Sequence, residues 1–292
     1  MDVVQLVRDD KGHYEWTEVC SEHGGNKLFI SVMRDAMKFD NMPAMTWDYK
    51  PVYIYKDGKT VEDDRLFDGV RMPATAHELQ EIGDLINGML MTPLVIGLLW
   101  VQAGLKFDSV VNVKGKIVAI SNIHDVHEAI EAVIAKLGGD DGTQLVSCVG
   151  KYWCLINDLL YKGIVAGDQC ACNYGWFAKT ASGPGYTAGT QCWQRPGFAH
   201  NKQHWDPSQT IRLMYKWGRL VRADGTEEHV LLTDIAQDPD LCPLITHDGK
   251  PLTYLRQKGV EELEPLVEPG VITLPEVVIR GRVPRRDDEP VA

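Results

Sequence analysis

The sequence predicts an α+β protein, with helices packed on mostly antiparallel sheet. Three observations carry this. Short apolar runs bounded by turn residues recur, as at Leu28 to Met33 and Val52 to Tyr55. Segments of helical spacing with start signals lie between them, after Thr75 and after Thr92. A central stretch rich in Gly, Cys and aromatics, Gly163 to Gly197, follows neither period and reads as irregular.

In chain order, Val3 to Val7 and Leu28 to Met33 read as strands. Val52 to Tyr55 and Thr60-Val61 flank Asp57-Gly58, a favoured hairpin turn. Thr75 with Glu78 makes a capping box before Leu79, Ile82, Leu85 and Ile86, and this helix should end near Asn87-Gly88. Thr92-Pro93 starts a second helix, apolar nearly all round and so expected to be buried. Val110 to Ile120 reads as a strand pair around Lys114-Gly115. A helix capped by Ser121 or Asn122 follows, with Val126, Ile130, Val133, Ile134 and Leu137 on one face.

Gly138 to Gly142 is the best internal linker. It divides a mixed β and helical N-terminal region, residues 1–138, from a motif-bearing α+β region, residues 143–270. Residues 271–292 read as an extended tail with a β-prone Leu274 to Ile279. Gln144 to Val149 and Tyr152 to Ile156 are strand-like. From Thr210 a strand alternates Ile211, Leu213, Tyr215 and Trp217 on one face with Arg212, Met214 and Lys216 on the other. A hairpin around Asp224-Gly225 and a short helix within Leu232 to Leu244 complete the pattern.

The chain has 292 residues and a net charge of −11, which argues against general nucleic-acid binding. Its N-terminus lacks the basic start and apolar stretch of a signal peptide. The most apolar window, Met89 to Val101, is about 13 residues, short of the ~20 that span a bilayer. These features predict no membrane span and cytoplasmic synthesis, with a place in a virion or release at lysis as later fates. Seven cysteines, an odd number without an export signal, predict reduced thiols.

Residues 148–217 hold five of the seven cysteines and five of the eight tryptophans. They include His200, His204 and Asp206 within seven residues, followed by Ser208 and Gln209. Between Trp193 and Ala223 stand six basic residues and one acidic one, a local excess of five positive charges. Such a stretch in an acidic chain suggests an anionic ligand; the alternative is pairing with acidic residues elsewhere.

Two chemistries suit the cluster. His200, His204 and Asp206 supply the three side-chain ligands of a catalytic metal site, zinc being the metal such a set takes. The same residues suit acid–base catalysis, a carboxylate orienting an imidazole, with Cys154, Cys172 or Ser208 as candidate nucleophiles. Pro207 and the strand after it place His200 and His204 on a loop rather than one helix face. Lys151, Tyr174 and Arg212 are candidates for positioning substrate, and Trp176 and Trp205 for stacking on it. His124 with His127 reads as a solvated helix start, and Gly183-Pro184-Gly185 lacks the Lys-Ser/Thr of a phosphate loop.

Gly150-Lys151-Tyr152-Trp153, Asn157-Asp158-Leu159, Asn173-Tyr174-Gly175-Trp176 and Gly197 through Gln209 occur in that order. This order resembles a poorly characterised set of bacterial and phage-associated proteins, over about two thirds of the chain from Arg71 onward. Where that pattern has a tyrosine before Ser-Gln, this chain has Pro207; where it often has a histidine after Tyr-Gly-Trp, this chain has Phe177. The resemblance implies cell-wall processing or a virion role. The expected function is therefore a hydrolase on peptidoglycan or a related anionic polymer. The alternative is a non-enzymatic phage structural or accessory protein, in which the tail exchanges strands in a homo-oligomer.

Overall fold

The chain is described from a computed structural model. It covers residues 2–44, 50–106, 110–113, 116–119, 123–136, 142–147, 150–156, 170–177, 192–201, 203–206 and 208–252. The architecture is α+β with several small antiparallel sheets, as expected.

The largest sheet runs in the order Gly88–Met89, Met214–Val221, Asn26–Met33, Trp16–His23, with Glu227–Leu231 also paired to Met214–Val221. Asn26–Met33 alternates Leu28, Ile30 and Val32, all buried, with residues facing outward. Trp16–His23 pairs with it from Trp16↔Met33 to His23↔Asn26, turning through Gly24 and Gly25 at φ 58° and 82°. The free edge of Trp16–His23 is closed by one side chain. The Gln102 amide accepts from Cys20 N at 3.0 Å and donates to Cys20 O at 2.6 Å, as a neighbouring strand would.

Helix Ala76–Ile86 starts at the expected capping box. Glu78 N donates to Thr75 Oγ1 at 3.1 Å, and Thr75 N donates to Glu78 Oε2 at 2.7 Å. Asn87 at φ 54° ends it. Thr75→Ala should cost about 1 kcal/mol of stability, measured by urea unfolding; an unchanged midpoint would refute the cap's contribution. Helix Pro93–Gln102 buries Val95, Ile96, Leu99 and Trp100, as its apolar composition requires. The 53–62 hairpin turns at Asp57 (φ 52°) and Gly58 (φ 78°), as expected.

Three expectations are corrected. Val3 to Val7 is helical, Val3–Arg8, because Asp2 caps it by accepting from Val4 N and Gln5 N. The stretch expected to be irregular contains two strands, Cys170–Phe177 and most of Cys192–Asn201. Register shifts around Asn173 erase the two-residue period that would have revealed them. The strand expected from Thr210 begins at Met214, and the residues that lead into it, Ile211, Arg212 and Leu213, are fully buried as Met214 is.

Lys151–Cys154, Cys170–Phe177 and Cys192–Asn201 form a three-stranded antiparallel sheet between two apolar clusters. Tyr152, Cys154, Cys172 and Tyr174 pack into the cluster built on Leu28, Ile30, Val95 and Ile235. Trp153 and Ala171 pack into the other, with Val3, Phe39, Leu79 and Leu213. The regions expected at 1–138 and 143–270 thus share a sheet and a core, and packing sets no boundary between them. Met1–Leu255 forms one compact unit. The tail 271–292, the 138–141 linker and Gly183 to Gly185 lie outside the described residues.

Candidate functional site

The site is built on the first residue of a strand. Lys151 N donates to Ser208 O at 2.7 Å, and Thr210 N donates to Lys151 O at 3.0 Å, so Ser208 to Thr210 run beside it in parallel. This fixes the segment just upstream. Asp206 closes a tight turn, its Oδ1 accepting from Ser208 N at 2.9 Å and from Ser208 Oγ at 2.5 Å. Its Oδ2 accepts from Lys151 Nζ at 2.8 Å. Lys151 and Asp206 are both mostly buried, with side chains 11% and 16% exposed, so water screens the pair weakly.

His200 is the last but one residue of its strand, opposite Ala171. His204 lies on the following loop, as Pro207 predicted. Their rings stack at 4.0 Å between centroids and 12° between planes. Trp153 stands edge-on to both, at 5.9 Å from His200 and 6.4 Å from His204. It is fully buried and donates from Nε1 to Ala74 O at 2.9 Å, which holds the ring still. One ligand atom each of His200, His204 and Asp206 lie within 4.8 Å of one another. The three residues singled out by spacing therefore converge, and Lys151 joins them from 55 residues away.

Electrostatics separate their roles. Burial would push the Asp206 carboxyl up, but hydrogen bonds from Lys151 and Ser208 outweigh it and hold it below the usual carboxylate range. Burial pushes the His200 imidazole below its usual value and His204 pushes it further; the opposing pull of Asp206 is smaller than these, and Lys151 adds a still smaller push downward. His200 is thus a neutral base at neutral pH, beside a firmly ionised carboxylate.

Metal binding fits this arrangement less well. Both carboxylate oxygens already accept from Lys151 and Ser208. Imidazoles stacked face to face send their in-plane lone pairs side by side rather than toward one point. A zinc ion here would share Asp206 with an ammonium and would need a ring to reorient.

Other candidates lie elsewhere. Arg212 is fully buried, with Nε donating to Met33 O at 2.8 Å and Nη2 to Arg34 O at 2.7 Å; it ties strands together and presents nothing to a substrate. Tyr174 is fully buried in the core on the opposite face of the sheet. Trp205 is half-buried next to Asp206, and the Trp176 side chain lies outside the described residues. Cys154 and Cys172 alternate away from the cluster, so neither can be its nucleophile. Ser208 joins the cluster but is buried, and its hydroxyl faces a carboxylate, not an imidazole.

The basic stretch is largely consumed within the fold. Lys216 pairs with Asp84 at 3.0 Å, Arg219 with Glu227 at 3.5 Å, and Arg222 with Glu228 at 2.5 Å. Together with buried Arg212, four of its six cations have internal partners; Lys202 and the Arg195 side chain lie outside the described residues. The sequence put Gln209 in the same stretch without a role and did not put Thr210 there. Both are fully buried beside Lys151, and the Gln209 amide and Thr210 hydroxyl meet no partner. A surface cavity of about 270 Å³ between Trp217, His229, Asp234 and Asp238 shares no residue with the cluster.

The class these features define is an α+β chain with a His–His–Asp–Lys cluster at a sheet end. No family model, curated protein or solved structure matches the chain. Among the described residues, no helix is long and apolar enough to cross a membrane.

Proposed function

We propose that the chain is a hydrolase whose proton-transfer centre is His200, His204 and Asp206, with Lys151 holding the carboxylate. The observation that carries this reading is the stacked imidazole pair next to an ionised, ammonium-bound carboxylate. Neutral His200 accepts a proton from water as the water attacks the scissile bond. His200 then returns that proton to the leaving group, while His204, stacked on its ring, holds the imidazole in place. Asp206 stabilises the imidazolium that forms, and Lys151 keeps Asp206 in place. Water is the nucleophile in this reading: Cys154 and Cys172 pack into the core on the other face, and the Ser208 hydroxyl is held by Asp206.

The substrate proposed is peptidoglycan or a related anionic polymer, in a phage or prophage setting. Its support is the motif order around Gly150 to Trp153 and Gly197 to Gln209. The paired cations of the basic stretch add none.

The test is clearing of a peptidoglycan suspension beside elemental analysis of the protein. His200→Ala and His204→Ala should each lower the rate about 10²- to 10⁴-fold. The acid limb of the pH–rate profile should lie below the ordinary imidazole value of about 6.5, because the shift of His200 is downward. Activity should survive a chelator. A parent that clears nothing, or His variants with full activity, would sink the proposal. The second reading, a non-enzymatic phage structural or accessory protein, is favoured by the way Asp206, Ser208 and Lys151 saturate one another and knit a loop to the sheet. In that case the His variants change stability while the parent lacks activity.

A further inference from the structure

We propose that Cys154 and Cys172 are an oxidisable dithiol, a modification site that closes to a disulfide with hydrogen peroxide as the oxidant. The two residues are direct cross-strand partners in the antiparallel pair of Lys151–Cys154 with Cys170–Phe177. Such partners have Cα atoms about 4.5–5.5 Å apart, inside the roughly 4.4–6.8 Å that a disulfide spans. Direct partners also point to the same face. Here the sulfurs already touch, Cys154 Sγ donating to Cys172 Sγ at 3.2 Å. Bond formation asks for a sulfur movement of about 1 Å, within side-chain adjustment and without a backbone rearrangement.

Both thiols are buried, at 5% and 3% exposure. Burial, and then the hydrogen bond with Cys172, push the Cys154 thiol up, so it rests as the neutral thiol. Tyr152 and Tyr174 share the same buried core, so the oxidant proposed is a small one, hydrogen peroxide. The chemistry balances in two steps. One thiol attacks a peroxide oxygen, breaking the O–O bond; its own proton goes to the departing hydroxide, which leaves as water, and the sulfur is left as a sulfenic acid. The second sulfur then attacks the sulfenic sulfur, forming S–S and expelling the oxygen as a second water. Two thiols are oxidised and one peroxide is reduced. The bond pins the strand that carries Lys151 and Trp153 to its neighbour, behind the proposed proton-transfer centre.

The test needs no activity. The full chain is treated with hydrogen peroxide, alkylated, digested with trypsin without reduction, and mapped by mass spectrometry. Cleavage at Lys151, Lys162 and Lys179 gives one peptide with Cys154 and a second with Cys170 and Cys172. These should appear linked, two hydrogens lighter than their sum, and separate on adding a thiol reductant. Fragmentation between residues 170 and 172, or the Cys170→Ser variant, should place the bond on Cys172. Cys154→Ala and Cys172→Ala should each remove it, and the wild-type map decides even if either fails to fold. A link through Cys170, sulfinic or sulfonic acids at 154 and 172, or unlinked peptides at a dose that oxidises half-buried Cys20 would overturn the proposal.

Discussion

Asp35→Ala is expected to destabilise the fold by about 3–5 kcal/mol, because it leaves a buried guanidinium short of its counter-ion. Asp35 is buried, and Arg71 is fully buried. Arg71 Nη2 stands 2.5 Å from Asp35 Oδ2, and Nη1 stands 2.7 Å from Glu131 Oε1, an ion pair without hydrogen-bond alignment. Lys38 reaches the same two carboxylates, at 3.3 Å and 2.8 Å. The network joins helix Ile123–Lys136 to the strand Val70–Arg71. Burial alone would raise the Asp35 carboxyl, but Arg71, Lys38 and Arg212 outweigh it and hold it far below the usual range. The folded value is depressed, so the stabilisation is fully present above the unfolded value of about 3.9 and is lost as pH falls below it. Urea unfolding should show the largest gap between parent and variant near neutral pH and a shrinking gap in acid. A gap of under ~1 kcal/mol, or one that is constant with pH, would contradict this.

Trp153→Ala is expected to cost a further about 3–5 kcal/mol, as for a large aromatic removed from a close-packed core. The indole is fully buried, anchored on Ala74 O, and walls the two histidines. Its removal lets water reach His200, so the imidazole should titrate closer to its ordinary value, visible by NMR. Trp153→Phe should keep most of the packing and lose about 1 kcal/mol with the hydrogen bond. If Trp153→Ala unfolds no more easily than the parent, the indole is not the wall described. If stability falls while His200 titrates as before, burial is not what depresses it.

The candidate site was partly legible in the chain. His200, His204 and Asp206 are close in sequence and come together in space. Lys151 was expected to position substrate, but its pairing with Asp206 was not legible, because Lys151 arrives through a parallel bridge to Gln209 that no local pattern announces. Trp153 reaches the histidines because it shares a face with Lys151, two residues away on one strand, a relation readable only once the strand's faces are known. Arg212 looked like a substrate-binding cation because charge usually seeks water; backbone carbonyls of Met33 and Arg34 take water's place.

What the chain determined by itself was local. The Thr75–Glu78 box, the Asp57-Gly58 hairpin and the apolar helix after Thr92 form because caps, turn residues and burial patterns act over a few residues. The α+β class follows from counting such elements. Tertiary structure decided the rest: which faces are buried, which charges pair, and which thiols touch. The basic stretch shows why. Its net charge is a property of sequence, but whether that charge meets a ligand or Asp84, Glu227 and Glu228 depends on strand register. Register is set by packing between segments far apart in the chain, and no window of sequence contains it.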